Sequence, residues 1–495
     1  MTARLVTIGD SLTQGFQHGA VRRTAWSFPA MVARALGAEP FRQPDFTANG
    51  DGGPLLDLEL MLDRLSTVCG TRIDLWDIPL AGVTLEETMR RVENYWERGP
   101  GMQPSDTGPI HHNLGAWGFE VRDALTLSYE VCKVAPAHND FFDQVPEQGM
   151  YRSARRSLNP SGRADLSALT QLELARQLAE TEGIENLVVG LGANNALGPC
   201  VSLQVRKSTA ADVNALADQR RCNLWLPEHF ASAYADLALE IERINAKRVF
   251  VTTVPHVTIA PVTRGVSPST GAPDADGYYE YYTRFWVWDE HFDPDRNGRL
   301  TRKDAREIDA YIDAYNDCIR REAKQRGWHV VDLCDVLTRL AYRRNKGCPT
   351  YPLPAGLVQA LKANPATRFR VRDDDEVLLD TRFVRTPLQD PAANAPTADW
   401  RAAYKGGIFG LDGVHPSTTG YGIVAHEVLR AFQAADVPGA DPRNLDWRSI
   451  VAQDTVLTKP PALLKTLEQT LDMLFATLPL DRLIDKLAGF GAEPM

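Results

Sequence analysis

The sequence predicts an α/β protein in which helices cover a parallel β-sheet. Two observations support this fold class: short apolar runs alternate with helical patterns, and each helical pattern lies between or beside two such runs. A third is composition, because 44% hydrophobic and 24% charged residues in 495 are typical of a globular protein that can bury a sizeable core.

The elements follow in chain order. The apolar runs predict five strands, at Leu5–Ile8, His112–Ala116, Asn186–Leu191, Arg248–Val254 and Trp328–Leu333. The first helix ends at Leu36, with Ser27 as its N-cap, Pro29 in its first turn and Gly37 just past its end. Helical periodicity predicts four more helices, at Leu166–Glu182, Ala231–Asn245, Arg302–Arg326 and Gly422–Gln433.

Three segments exceed what a five-stranded sheet requires. Residues 257–300 are rich in Pro, Gly, Tyr and Trp, and residues 343–410 hold prolines and a predicted hairpin from Phe369 to Leu379. Both follow strands, where insertions tend to cover a site. The pattern of Leu463–Phe490 predicts two amphipathic helices, interrupted by Pro479, that pack on the body or on a second copy of the chain.

Charge and composition exclude several classes of protein. A net charge of −10 without a basic run argues against nucleic acid as a partner. The seven cysteines show neither a C-x-x-C pair nor zinc-finger spacing, so we expect reduced, mostly buried thiols. The N-terminus shows no leader pattern and no stretch is apolar enough to span a bilayer, so we expect a cytoplasmic protein without a transmembrane segment.

One serine stands at the exit of the first predicted strand. Ser11 lies in Gly9-Asp10-Ser11-Leu12, and a sharp turn there would leave its hydroxyl at the carboxyl end of a parallel sheet. Ser11 is therefore a candidate nucleophile. The alternative is an N-cap, because Ser, Asp and Thr are common at helix termini.

A carboxylate and a histidine stand together near the last predicted helix. Asp412 precedes His415 by three residues in a loop shaped by Gly and Pro. At that spacing the carboxylate can hold the imidazole Nδ1–H, leaving Nε2 free to accept a proton from a serine. The alternative is that Asp412 caps a turn and His415 is a surface residue.

Two strand exits between these points offer oxyanion donors. Gly118 ends the segment His112-Asn-Leu-Gly-Ala-Trp-Gly118, and a glycine N–H can approach a substrate without obstruction by a Cβ. Asn194, in Gly192-Ala-Asn194-Asn195, has an amide that can donate to a developing oxyanion. Glycine and asparagine are also common in ordinary loops, so the prediction of oxyanion donors depends on the order of the two residues along the chain.

Taken in order, these four blocks resemble those of the GDSL, or SGNH, hydrolase superfamily. The resemblance implies a three-layer α/β/α fold with a five-stranded parallel sheet, here with the large insertions and a helical C-terminal extension. It also implies hydrolysis of esters or thioesters without a catalytic cofactor. On this basis we expect a catalytic domain over residues 1–435, with insertions at 257–300 and 343–410, and a helical extension over 436–495 that packs on it.

The resemblance also implies a role for each matched residue. Ser11 is then the nucleophile, His415 the general base and Asp412 its partner. The Ser11 N–H, the Gly118 N–H and the Asn194 side chain form the oxyanion hole.

Three further positions bear on the match between this sequence and the family's blocks. Asn195 departs from the family's usual Gly-x-Asn-Asp, although the amide at Asn194 is retained. Gly82 is an alternative to Gly118 as the glycine of the family's second block, but the segment that ends at Gly118 matches that block more closely. Asp10 is assigned to structure, because it adjoins Ser11 and adjacent residues cannot readily form a Ser-His-Asp line.

A second motif lies in the first insertion. Residues 293–304 place glycine at position 6 of a twelve-residue loop and oxygen ligands elsewhere, the arrangement of an EF-hand or dockerin calcium loop. The predicted ligands are Asp293, Asp295, Asn297, Arg299 through its backbone carbonyl, and Asp304. A helix follows from Arg302, and the aromatic run Tyr278–Trp288 is expected to form the entering helix. The alternative is an Asx-rich turn with an N-capping Asp.

These observations favour a serine esterase or lipase-like hydrolase that acts on a small-molecule or lipid ester, with calcium as a structural ion. Two alternatives remain open within the enzymes: a carbohydrate O-acetylesterase and an acyltransferase using the same triad. A third comes from another class, a catalytically silent binding module ordered by calcium.

Overall fold

A parallel β-sheet lies at the centre of a mixed α/β fold in the computed structural model of the chain. The structure describes residues 2–47, 52–54, 56–74, 76–96, 99–104, 110–134, 149–287, 289–372, 376–385 and 405–467.

Within these ranges, nine segments are β-strands, which we number in chain order: β1 Val6–Gly9, β2 Phe16–Gln17, β3 Ala20–Val21, β4 Asn186–Gly190, β5 Arg248–Thr252, β6 Thr263–Val266, β7 Tyr281–Arg284, β8 Leu300–Thr301 and β9 His329–Val331. The α-helices among the described residues are α1 Ser11–Gln14, α2 Phe28–Leu36, α3 Leu58–Cys69, α4 Ile78–Trp96, α5 Asp123–Thr126, α6 Tyr129–Val134, α7 Gly149–Leu158, α8 Gln171–Thr181, α9 Asn194–Ser202, α10 Ala210–Asn214, α11 Pro227–Ile244, α12 Arg302–Arg326, α13 Leu333–Leu340, α14 Ala355–Ala363, α15 Thr418–Ala434, α16 Trp447–Gln453 and α17 Thr455–Thr458.

The central sheet has four strands in the order β1-β4-β5-β9, and all of its pairs are parallel. In register, Ile8 lies opposite Val189 and Val251 opposite Val330. Val, Leu, Ile and Phe make up more than half of its strand residues, as is usual for a parallel sheet that helices cover. Four of the five predicted strands are thus confirmed; β1 is shifted by one residue from its predicted bounds, and the other three are slightly shorter than predicted.

The fifth predicted strand, His112–Ala116, is not a strand in the structure. The segment runs beside β1 and forms one parallel bridge, between Asn113 and Thr7. Thr7 also exchanges backbone hydrogen bonds with His112 and Leu114, and the Ala116 N–H donates to Gly9. The ladder is interrupted between these bonds, where the Leu114 carbonyl accepts the Gln171 side chain at 2.7 Å and the Gly115 N–H donates to the Asn113 side chain at 3.0 Å.

The helices form two packed groups that contact the sheet. In one, α11 packs against α8 and α12; in the other, α2 packs against α15. The predicted start and end of α2 are confirmed: Ser27 caps it, Pro29 lies in its first turn, and Gly37 ends it in the left-handed conformation at φ 61°. The predicted range of α12 is confirmed in full.

The first insertion contains a small antiparallel sheet, β6-β7-β8. The prediction of an entering helix over Tyr278–Trp288 is therefore wrong for its described part, because Tyr281–Arg284 is strand β7. Aromatic side chains favour a pleated sheet surface, and their β-propensity prevails here over an uncertain helical spacing. Trp288 lies outside the described residues.

The second insertion contributes α14 and a loop that returns to the body. Within the predicted hairpin, Phe369 lies in a short 3-10 helix, Arg368–Arg370, and one antiparallel bridge joins Val371 to Val377. The two insertions contact each other, because the ring of Phe285 stacks on that of Phe383 with centroids 4.0 Å apart.

The C-terminal segment packs on the body as far as the structure describes it. Trp447 in α16 is buried and lies against Gly356 and Gly422, and Leu463 is buried against α3. The N–H of Leu463 donates to Ser66 at 2.9 Å. Most of the two amphipathic helices predicted over Leu463–Phe490 lies outside the described residues.

Two general expectations can be compared with the structure. All seven cysteines are free thiols and five are buried, as predicted. In the part of the chain that the structure describes, no helix has the length and apolar character needed to cross a membrane.

Candidate active site

Ser11 lies where β1 turns into the short helix α1. Gly9 allows this turn, because a Cβ there would come within 2.1 Å of the Thr13 side chain. Asp10, and not Ser11, is the N-cap: its carboxylate accepts the Leu12 N–H at 3.0 Å. Ser11 is therefore the first residue of the helix, where backbone N–H groups have no acceptor within the helix.

A line of hydrogen bonds joins Ser11 to His415 and Asp412. The Ser11 Oγ lies 2.8 Å from His415 Nε2, and His415 Nδ1 lies 3.2 Å from Asp412 Oδ2. Ser11 and His415 are 6% and 8% exposed, so both are shielded from bulk water. The structure thus brings together the three residues that the sequence singles out near the two ends of the chain, in the order serine, histidine and aspartate.

The Asp412 carboxylate is held in its charged form by its neighbours. Its Oδ1 accepts the N–H groups of Val414 and His415, both at 2.8 Å, and its Oδ2 accepts the Gly19 N–H at 2.8 Å. Burial tends to raise the pKa of Asp412, but the nearby His415 and these hydrogen bonds lower it to about 2. The carboxylate can therefore stabilise an imidazolium at His415 over the whole physiological pH range.

The pKa of Asp10 is shifted in the opposite direction to that of Asp412. Burial raises its pKa to about 6, while the Leu12 N–H and the nearby His415 lower it in part. Its carboxylate serves the helix terminus, whereas the His415 Nδ1 faces Asp412. The geometry agrees with the assignment of Asp10 to structure.

The segment that carries Gly118 lies beside α1. The N–H of Trp117 donates to the Gln14 side chain at 2.9 Å, and the ring of Trp117 stacks on that of Phe16. Gly118 adopts φ 80°, and a Cβ there would approach the Met150 side chain to 2.9 Å. Glycine is required on both grounds, because a positive φ and a close contact each disfavour a side chain.

The other predicted oxyanion donor contacts the same segment. Asn194 begins α9 after β4, and its Nδ2 donates to the Phe119 carbonyl at 2.9 Å. The next residue, Asn195, is fully buried, and its Oδ1 accepts the Val121 N–H at 3.1 Å. Both asparagines therefore tie the exit of β4 to the segment that follows Gly118. The alternative glycine, Gly82, lies inside α4, and a Cβ there would meet no other atom within 4 Å.

Sequence reasoning missed a buried ionic cluster behind this segment. Arg220 contacts Glu120 at 2.5 Å and Asp123 at 2.9 Å, and its side chain is 4% exposed. Trp225 also donates to Glu120, at 3.0 Å. Burial raises the pKa of Glu120 to about 7 although Arg220 opposes the shift. No local sequence signal pairs these residues, because Arg220 lies about a hundred positions from its partners.

Sequence reasoning also missed the side chains that fix the positions of the strand exits. Gln171 in α8 donates to the carbonyls of Gly9 and Leu114, at 2.9 and 2.7 Å. Asn113 donates to the Thr13 carbonyl at 2.9 Å. Gln171 lies inside the predicted helix Leu166–Glu182, and no sequence feature indicated its contacts with the strand exits.

One aromatic side chain packs against the imidazole, and a second packs against the first. The ring of Phe16 lies 4.4 Å from that of His415 and 5.4 Å from that of Trp117, centroid to centroid. Phe16 is buried, whereas Trp117 is partly exposed. This wall gives the region beside the Ser11–His415 pair an apolar character.

The predicted calcium loop is held by its own hydrogen bonds. Asp293 accepts the Asp295 N–H and Asn297 accepts the Asp293 N–H, at 2.9 and 2.8 Å. Asp304 forms a capping box with Thr301 at the start of α12. Arg299, whose carbonyl is a predicted ligand, stands directly before β8 and has its guanidinium over the Tyr281 ring.

The carboxylates of the loop are not gathered around one point. Among the described residues, the one group of three or more His, Cys, Asp or Glu ligand atoms within 4.8 Å of one another is elsewhere, at His256, Asp313 and Cys334. The loop as it stands resembles an Asx turn followed by a capped helix, and calcium remains a prediction.

Comparisons of the chain with family models, with curated proteins and with solved structures found no match.

Proposed function

We propose that this protein is a serine hydrolase of carboxylic esters. One observation carries the proposal: Ser11 Oγ, His415 and Asp412 form a continuous, buried hydrogen-bonded line. A serine oxygen 2.8 Å from an imidazole nitrogen, with a charged carboxylate at the far nitrogen, is the arrangement that activates a serine for nucleophilic attack.

Acylation then follows from this geometry. His415 Nε2 takes the Ser11 proton as Oγ forms a bond to the ester carbonyl carbon, and the carbonyl electrons move to the oxygen. When the tetrahedral intermediate collapses, the bond to the leaving alkoxide breaks and His415 delivers the proton to it. Asp412 stabilises the imidazolium in between, because its low pKa keeps it charged.

Deacylation uses the same groups in reverse roles. His415 takes a proton from water as the water oxygen attacks the acyl carbon, and it then returns a proton to Ser11 Oγ as the acid leaves. In this proposal the N–H groups of Ser11 and Gly118 and the amide of Asn194 bind the oxyanion. Each such donor is worth roughly 3–4 kcal/mol of transition-state stabilisation.

The proposal extends to the fold and to the substrate class. The segment at residues 112–116 would serve as the fifth strand of a three-layer SGNH-type domain over residues 1–435. The aromatic wall of Phe16 and Trp117 favours an apolar acyl group, as in a lipid or other hydrophobic ester.

A fluorophosphonate probe tests the proposal most directly, because it phosphonylates only an activated serine. We expect wild-type protein to be labelled once, at Ser11, and Ser11→Ala to resist labelling. Ser269→Ala is the matched control, since Ser269 is an exposed serine on the first insertion and should label like wild type.

A chain-length series of p-nitrophenyl esters then addresses the substrate. We expect hydrolysis by wild type and Ser269→Ala but not by Ser11→Ala, with a preference for longer acyl chains. Preference for acetyl esters would instead indicate an acetylesterase, and transfer of the acyl group to an added alcohol would indicate a transferase. If Ser11 resists the probe and no ester is cleaved, the catalytic proposal fails.

A further inference from the structure

A histidine, a carboxylate and a cysteine converge beyond the carboxyl ends of β5 and β9. His256 follows β5, Asp313 lies in α12 and Cys334 lies in the first turn of α13. One ligand atom from each residue lies within 4.8 Å of the other two. His256 Nε2 and Asp313 Oδ1 are already 3.0 Å apart, close to the separation of two ligands on one tetrahedral metal ion.

The backbone around this cluster is fixed from two sides. Asn316 of α12 makes two hydrogen bonds to the backbone of Val254, one to its N–H and one to its carbonyl, at 2.7 and 2.9 Å. Thr253 donates to Asp332 and accepts the Cys334 N–H, both at 2.9 Å. The chain that leads into His256 is thus tied to both helices that supply the other two side chains.

We propose that His256, Asp313 and Cys334 form a binding site for a zinc-class divalent cation. Imidazole nitrogen, thiolate sulfur and carboxylate oxygen are the three ligand types that zinc takes in proteins. Calcium and magnesium, which require oxygen ligands, do not suit this set. The site is distinct from the predicted calcium loop and does not depend on the proposed hydrolase function.

Charge and hydrogen bonding suit a metal bound at His256 Nε2. On binding, the Cys334 thiol loses its proton to solvent, so thiolate and Asp313 together supply two negative charges against the two positive charges of the ion. His256 Nδ1–H is then free to donate to the Thr338 hydroxyl, 3.3 Å away. Arg344 Nη1 lies 3.4 Å from Nδ1 and would lose that contact once Nδ1 carries the proton, but Arg344 Nη2 still donates to Thr258 and Asp309, at 2.7 and 2.6 Å.

The position of the site gives it a structural consequence. The loop that begins at His256 continues to Val262, whose N–H donates to the Gly413 carbonyl at 2.8 Å. Gly413 lies between Asp412 and His415. A metal ion at His256 would therefore anchor one end of a loop whose other end supports the triad.

Metal titration of the full-length protein tests the proposal. Protein freed of metal by a chelator is titrated with Zn²⁺ by calorimetry, and with Co²⁺ by absorption spectroscopy, which reports a thiolate ligand as a charge-transfer band. We expect one Zn²⁺ per chain with release of a proton, and a thiolate band with Co²⁺. Asp313→Asn and His256→Gln should each weaken binding by at least about tenfold.

The cysteine variants provide the matched comparison. Cys334→Ser should abolish the charge-transfer band, whereas Cys348→Ser, which changes an exposed free thiol, should leave band and affinity as in wild type. Asp313→Asn covers the case in which Cys334→Ser does not fold, because the Asp313 side chain is 65% exposed. The proposal is overturned if wild type binds no Zn²⁺, if Asp313→Asn and His256→Gln bind as wild type does, or if the band survives Cys334→Ser.

Discussion

The backbone N–H of Gly19 donates to Oδ2 of Asp412 over 2.8 Å, and this is the same carboxylate oxygen that faces His415 Nδ1. Gly19 lies in the turn between β2 and β3, at φ 82°. In the same turn, His18 Nδ1 accepts the Leu411 N–H at 3.0 Å. The two-residue turn between β2 and β3, in the hairpin that follows the Ser11 helix, therefore holds the loop that carries Asp412 and His415.

This relationship supports Asp412 over Asp10 as the acid of the proposed triad. We expect Asp412→Asn to lower kcat by roughly 10³–10⁴, because an amide there cannot stabilise the imidazolium and favours the wrong tautomer. Asp10→Asn should keep most of the activity, since asparagine caps a helix as well as aspartate does. Steady-state hydrolysis of one p-nitrophenyl ester by the two variants checks this. Equal losses in both variants would contradict the assignment.

The sequence predicted the parallel sheet and the triad because each depends on local signals. β1 and β4 are apolar runs, and Ser11, Asp412 and His415 lie in short motifs. The hydrogen bonds that hold these residues in place could not be predicted, because they join segments that are distant in the sequence. Gly19 contacts Asp412 across nearly four hundred residues, and nothing near Gly19 indicates that partner.

The two wrong predictions of secondary structure also result from contacts between distant segments. The segment at residues 112–116 keeps part of the ladder with β1, but the Leu114 carbonyl accepts the Gln171 side chain instead, a contact from a distant helix that apolar periodicity does not reveal. The aromatic run before Trp288 was compatible with helix and strand, and pairing with β6 decided for the strand. Local patterns were ambiguous at both places, and tertiary contacts determined the outcome.

The raised pKa of Asp10 also predicts how the stability of the protein changes with pH. Its pKa is raised from 3.8 to about 6 in the folded protein, chiefly by burial. Between these values the folded state holds a proton that the unfolded state releases, so this residue makes the protein less stable as pH rises through that window. The effect amounts to roughly 3 kcal/mol once pH exceeds about 6.

Asp10→Asn mimics the protonated form at every pH. We therefore expect the variant to unfold at higher urea concentration than wild type at pH 7, with the difference vanishing near pH 4. Comparing variant with wild type at each pH removes the contribution of groups that titrate in both. A variant that is less stable than wild type at pH 7 would contradict the expectation.

The adjacent asparagines predict a contrast between catalysis and folding. Asn194→Ala should lower kcat by roughly 10²–10³ with little change in KM, because it removes one oxyanion donor. Asn195→Ala should instead lower the free energy of unfolding by about 1–3 kcal/mol, because it leaves the buried Val121 N–H without an acceptor. Kinetics and denaturant unfolding of both variants measure the two effects. If Asn194→Ala retains full kcat, its proposed role is wrong.

We expect a large loss of stability when Arg220 is removed from its buried ionic cluster. Arg220→Met would leave Glu120 and Asp123 buried without a cation, and breaking such a pair typically costs about 3–5 kcal/mol. Arg163→Met removes an exposed ion pair with Asp165 and should leave the melting temperature unchanged. Because the cluster adjoins Gly118, the fraction of Arg220→Met that remains folded should also show a reduced kcat. Stability within 1 kcal/mol of wild type would show that the cluster is not needed.

The calcium loop predicts a response to Ca²⁺ that is separate from any response to Zn²⁺. After metal is removed with EDTA, adding Ca²⁺ should raise the melting temperature of wild type and of Cys334→Ser alike, because the loop uses oxygen ligands only. Asp293→Asn combined with Asp295→Asn should lose this Ca²⁺ response, since two carboxylates of the loop become neutral, yet should keep the response to Zn²⁺. Differential scanning fluorimetry with each metal in turn compares the three proteins. If Ca²⁺ leaves wild type unchanged and calorimetry detects no bound Ca²⁺, then Asp293, Asp295 and Asn297 serve as an Asx turn, and Asp304 serves only to cap α12.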